Sequence, residues 1–141
     1  MKRVHVLVAV VWVLGLALGV LGSRMLSAQD PLKAGKELQR AELTSAKGME
    51  GILVLRELPP GAESGQHTQS GNEIVYILEG SVVLEVQGKA PMTLKAGEAF
   101  KTAAGEVHNV KNASASAPGK ALAFYIAKKG TPLEGLSVPV K

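Results

Sequence analysis

From residue 52 onward the apolar residues fall into short runs: 52–58, 74–79, 82–87, 92–95, 99–102, 107–111 and 121–127. Pro59, Pro60 and Gly61 close the first run, and Gly80, Gly88, Gly97 and Gly105 close the next ones. Short runs punctuated in this way predict the strands of an all-β sandwich or barrel. No long helical period intervenes, which argues against a parallel α/β sheet. Residues 74–78 are apolar at every position, so both faces of that strand are expected to be covered, one by the interior and the other by a second layer or a second subunit. Residues 38–45 predict a first extended segment, with a short helix as the alternative. Gly35 and the irregular spacing of Leu32, Leu38 and Leu43 do not make a sustained apolar stripe. The stretch 128–141 contains Pro132 and Pro139 and has no clear period, which predicts an extended wrap or a loose end.

The amino-terminal pattern is of a different kind. Lys2 and Arg3 precede an apolar run over 4–22 that only His5 interrupts, and a polar stretch begins at Ser23 and Arg24. That is the layout of an export signal. A cut after Ala28 would leave Gln29 first, with Leu26 where a smaller residue is preferred. The run also approaches the ~20 residues of a membrane-spanning helix, so an uncleaved anchor is the alternative. Residues 1–28 are thus read as a signal peptide or membrane anchor, 29–37 as a connector, 38–130 as the barrel domain and 131–141 as a tail. Either reading puts the domain outside the cytoplasm: periplasmic or secreted after cleavage, or held on the inner membrane facing the periplasm, with the basic flank inside. One domain is what 141 residues can build with a proper core.

Charge and cysteine content narrow the function classes. The formal charge is +4, but Lys2, Arg3 and Arg24 lie in the leader, which has no acidic residue. The remainder carries 13 basic against 12 acidic side chains. Such a domain has no electrostatic reason to bind nucleic acid or an anionic membrane. With no cysteine, thiolate catalysis, Cys-ligated zinc, iron–sulfur clusters and disulfides are all excluded, leaving oxygen and imidazole nitrogen as metal ligands.

His67, Gln69 and Glu73 share strand parity with Val75 and Ile77. If the chain is extended through Gly71, all three face the interior above an apolar floor. The segments GAESGQHTQSGNEIVYILEG (61–80) and GEAFKTAAGEVHNVKN (97–112) resemble the two motifs of the cupin superfamily, G(X)5HXH(X)3E(X)6G and G(X)5PXG(X)2H(X)3N. Eight of the ten fixed positions match, and the sixteen residues between the segments suit small bacterial cupins. The resemblance implies a jelly-roll β-barrel and selects it over an immunoglobulin-type sandwich, whose Cys and Trp marks are missing. It also implies a mononuclear site in which His108 joins His67, Gln69 and Glu73, and a homodimer paired through its sheets.

Two positions depart from the motifs. Gln69 stands where the second His is usual, and Ala103 where Pro is usual. An amide oxygen is a weaker and harder donor than imidazole, which tilts the expected divalent metal toward manganese or iron over zinc or nickel. Ala103 should matter little, by at most roughly 1 kcal/mol. Against the metal stand blander readings: His67 as a solvated loop residue, Gln69 bonded to backbone, and Glu73 ion-paired with His108 in a metal-free barrel. His67 and His108 are the only histidines outside the leader, which weighs against a scattered role. Gly61, Gly80, Gly97 and Gly105 are expected at left-handed or tight positions, and Asn112 in the turn after its strand. Asn112, Ala113 and Ser114 also spell a glycosylation sequon. Tyr76, Phe100, Lys101, Phe124 and Tyr125 lie on expected strands, but alternation alone does not fix their faces. The function expected is therefore binding or transformation of a small molecule at a divalent metal. The alternative is a metal-free ligand-binding or sensing module, with a purely structural scaffold ranked last.

Overall fold

The computed structural model describes residues 35–141. The leader, its cleavage position and most of the connector lie outside the described residues. Ten strands follow in order: β1 (Gly35–Glu42), β2 (Met49–Leu58), β3 (His67–Gln69), β4 (Asn72–Glu79), β5 (Ser81–Val86), β6 (Met92–Lys95), β7 (Ala99–Thr102), β8 (His108–Asn112), β9 (Gly119–Lys128) and β10 (Ser137–Pro139). A single 3-10 turn, Leu133–Gly135, precedes β10. Among the described residues no helix is long and apolar enough to cross a membrane.

The strands form two five-stranded antiparallel sheets, β1-β2-β9-β4-β7 and β10-β3-β8-β5-β6. This is the all-β jelly-roll architecture that the turn spacing and the motifs implied. Every apolar run became a strand, with ends shifted by at most a few residues. The first extended segment is a strand rather than a helix. The final residues, for which a wrap and a loose end were both open, wrap: β10 pairs with β3, and Leu136 is 1% exposed in the core.

The core lies between the sheets and is filled by alternate residues. Ile52 and Val54 come from β2, Val75 and Ile77 from β4, Val82 and Leu84 from β5, and Ala121, Ala123 and Tyr125 from β9. Burying one such branched side chain contributes roughly 1.5–3 kcal/mol. Of the two covers expected for the outer face of strand β4, the described residues supply no second layer. Val75 and Ile77 are buried, but Ile74, Tyr76 and Leu78 are exposed at 51%, 45% and 38% in the single chain. An unbroken apolar run had concealed an ordinary inside–outside alternation.

Polar contacts fix the connections. Buried Glu50 accepts from the Arg40 guanidinium and from Gly130 N at 3.1 Å, tying β1 to the loop after β9. Asn112 does more than hold one turn. Its amide donates to the carbonyls of Leu58, Pro59 and Ala117 at 2.9–3.1 Å, and its oxygen accepts from Ser114 N. Its side chain is buried and committed, so the sequon it opens is not presented to solvent. Gly61, Gly80, Gly97 and Gly105 all have positive φ. In the Gly105 turn Ala103 N donates to Glu106 Oε2 at 3.2 Å, a bond that the usual proline could not make.

Candidate functional site

His67 and Gln69 on β3 belong to one sheet and Glu73 on β4 to the other. The chain does not stay extended between them, as the parity argument assumed; it bends at Ser70 and Gly71 and changes layer. Gly71 permits this because a Cβ there would lie 2.0 Å from the Ile126 carbonyl oxygen. Parity survives the bend, so all three side chains still face inward. His108 on β8 is in direct register with His67. The four residues are 3%, 3%, 5% and 1% exposed, so neither histidine is a solvated loop residue.

The ring nitrogens have separate tasks. His67 Nδ1 lies 3.0 Å from Gly65 O and 3.4 Å from Ser64 Oγ, while His108 Nδ1 lies 2.9 Å from Glu106 O. A backbone carbonyl can only accept, so each Nδ1 carries a proton, and each ring turns its Nε2 to the interior. The ring centroids are 4.2 Å apart. Gln69 Nε2 donates to His67 Nε2 at 3.1 Å and to Glu73 Oε2 at 3.0 Å. Thr102 Oγ1 donates to the same carboxylate oxygen at 3.1 Å, and Ser137 Oγ donates to Gln69 Oε1 at 3.2 Å. His108 Nε2 is the buried side-chain atom left with no hydrogen-bond partner among the described residues. It stands 3.7 Å from Glu73 Oε2, too far for a hydrogen bond.

This donor set fits a divalent cation in chemistry. Two Nε2 atoms and a carboxylate face one another, and the distal nitrogens are held by carbonyls in the way that orients metal-ligating histidines. A buried nitrogen with no hydrogen-bond partner among the described residues, 3.7 Å from a carboxylate oxygen, is where a cation could be shared by both. Among the described residues, however, no three His, Asp or Glu side chains are drawn in close enough to hold an ion. The Gln69 amide occupies the space between His67 and Glu73. Turning it would bring Oε1 inward, and the Ser137 hydroxyl, which can accept as well as donate, would keep a partner in either orientation.

A cavity of about 70 Å³ adjoins the four residues. Arg56 and Tyr125 reach it from β2 and β9. Arg56 Nη2 donates to Tyr125 Oη at 3.1 Å, with the guanidinium 5.8 Å from the ring centroid. Burial above all, and then the Glu73 charge, push the Tyr125 phenol far above its ordinary value, so it stays protonated. Phe100 also lines the cavity, whereas Tyr76 and Lys101 are exposed. Thr102, Ser137 and Arg56 were not among the residues singled out from sequence, and Tyr125 was named there only as a residue whose face alternation left open. Parity from Glu73 through its partners Thr102 and Tyr125 could have found two of them once pairing was known. Arg56 shares parity with Ile52 and Val54, but no sequence signal marks Ser137.

A two-sheet antiparallel barrel with inward His, Gln, Glu and His at one end of its interior defines a cupin-type protein. Residues 54–125, half of the chain, match the cupin domain model, and the chain belongs to that family. No curated protein sequence matches it. Solved structures similar to it include an uncharacterised conserved protein with a double-stranded β-helix domain from Klebsiella pneumoniae, at 16% identity and TM-score 0.57, covering 77% of this chain and 85% of that one. A DMSP lyase from Ruegeria pomeroyi is similar at 21% identity and TM-score 0.52, covering 67% of this chain and 44% of that one. A cupin domain from Bordetella pertussis is similar at 23% identity and TM-score 0.51, covering 65% and 90%. At these identities the likeness concerns the fold.

Proposed function

We propose that this cupin is an exported protein that holds one divalent metal through His67, Gln69, Glu73 and His108 and binds or transforms a small molecule beside it. The observation that carries the reading is the unpartnered Nε2 of buried His108 facing Glu73. Manganese or iron is favoured over zinc or nickel, because a carboxylate and an amide oxygen harden the donor set. When bound, the metal supplies Lewis acidity or oxygen activation. The chain's own residues orient the ligands: Gly65 and Glu106 carbonyls set the imidazole tautomers, Thr102 steers the Glu73 carboxylate, and Ser137 holds the Gln69 amide. The exposed Ile74, Tyr76 and Leu78 suit a homodimer paired through this sheet. The export-signal layout of residues 1–28 supports a periplasmic or secreted domain, with anchoring to the inner membrane facing the periplasm as the alternative.

A second reading has its own observation. The Gln69 amide already bridges His67 and Glu73, which would keep a metal-free ligand-binding barrel together. Elemental analysis of the full chain, purified without affinity tag or chelator, separates the two. We expect about one manganese or iron per chain, lost in His108→Ala, and stronger retention against a chelator in Gln69→His. Under a tenth of a metal per chain, unchanged by His108→Ala and not restored by added metal, would select the metal-free module.

A further inference from the structure

Strand β9 is the middle strand of its sheet, and its side chains are distributed in reverse of the usual core strand. The large apolar residues Leu122, Phe124 and Ile126 point outward, whereas the inward positions are Gly119, Ala121, Ala123, Tyr125 and Ala127, all buried. Protein interiors are close-packed, so short side chains at the centre of a sheet either receive bulk from their neighbours or leave space. At Ala121 and Ala123 they leave space. Ala123 lies between Val54 and Val75, and Ala121 between Arg56 and Ile77. Both alanines line the cavity of about 70 Å³, which Val82 and Val110 border from the opposite sheet. Tyr125, the next inward residue, pairs with Glu73, so the groove over the alanines leads away from the four polar residues in steps of about 7 Å.

We infer that Ala121 and Ala123 are the specificity-determining floor of an alkyl-binding groove, which takes the aliphatic body of a small molecule with its polar end toward Glu73. Lining and size both support this class. Val75, Ile77, Val82 and Val110 beside the alanines offer no side-chain hydrogen-bond partner, so a polar group placed among them would lose its bonds to water uncompensated. A methylene placed there simply leaves water, which is favourable. About 70 Å³ holds roughly five or six water-sized groups, a chain of a few carbons and its head. A lining without partner atoms loses dispersion contacts, and one larger residue at either position would restore them; the alanines keep the space open instead. Arg56, at the level of Ala121, donates from Nη2 to Tyr125 Oη at 3.1 Å, and no ligand is assigned to it. The groove deepens the small-molecule part of the proposed function and rests on that part, while requiring no metal.

The test is an NMR titration of the full chain, labelled at its alanine methyl groups, with neutral straight-chain primary alcohols from propanol to octanol and with metal content measured on every sample. We expect affinity to rise about fourfold per added methylene and to stop rising at roughly six heavy atoms, with the Ala121 and Ala123 methyl signals moving most. Ala123→Val should bring that limit about two carbons earlier while leaving the thermal midpoint unchanged or higher, because the added methyls enter space already empty. Val75→Ala, at the partner position of Ala123, should move the limit later by about one or two carbons and serves where Ala123→Val fails to fold. No binding, an affinity that climbs through octanol without a limit, or the same limit in the unaltered chain and in both variants overturns the inference. Metal at about one per chain with no alcohol binding defeats the groove and leaves the metal site standing. A limit that the variants move, in protein that holds no metal, supports the groove and defeats the metal reading.

Discussion

Two buried polar clusters of this barrel are built from the same kinds of atoms and end in opposite states. Around Asn112 every side-chain group is consumed: the amide hydrogens go to three carbonyls and the oxygen takes Ser114 N. Around His108 the distal nitrogen is anchored to Glu106 O, yet the nitrogen that faces the interior has no partner among the described residues. A protein gains stability from the first arrangement and loses some by the second, because an unsatisfied buried group keeps its desolvation penalty. The contrast separates a cluster that holds loops together from the one on which the proposed metal site rests.

Substitutions at each cluster can break that contrast. The largest effect is expected at the satisfied one. Asn112→Leu strands three carbonyls and should cost about 3 kcal/mol in urea unfolding, and a loss under 1 kcal/mol would show that water replaces the side chain freely. Next comes pH, read at Tyr125. Its phenol is held protonated in the fold well above the ordinary 10.0, so the folded state binds a proton that the unfolded state releases. Stability should then fall as pH rises past 10, by about 1 kcal/mol near pH 11, and Tyr125→Phe should flatten that part of the decline. The smallest change in stability is expected at the unsatisfied cluster. His108→Leu removes an orphaned nitrogen while preserving bulk, so the metal-free protein should keep its unfolding midpoint within about 1 kcal/mol or gain slightly. A loss above 2 kcal/mol would mean that His108 is a structural residue.

Much of this was legible in the chain. Runs such as 92–95 and 99–102 are bounded so sharply by glycine that the strands fall on the same residues, and motif spacing brought four separated side chains to one place. What was not legible depends on pairing. Strand β3 is three residues long and mostly polar, so it has no apolar run to announce it. Ser137 enters the site because β10 pairs with β3, a contact between segments nearly seventy residues apart. The faces of Arg56, Phe100 and Tyr125 follow from register, which alternation alone leaves ambiguous by one residue. At Ile74, Tyr76 and Leu78 the difficulty was the reverse. Every position was apolar, and the sequence could not say which ones the single chain would leave uncovered.

The bend at Gly71 gives the barrel a mechanical property. Since Gln69 hangs from one layer and Glu73 from the other, any group clasped between them rivets the two sheets. Such a rivet would do for this cysteine-free chain what a covalent crosslink does elsewhere, but reversibly, loosening as the clasped species is withdrawn. Slippage between the layers would, in turn, be felt first as a change in the grip on that species. The barrel would then register the supply of its own ligand as stiffness.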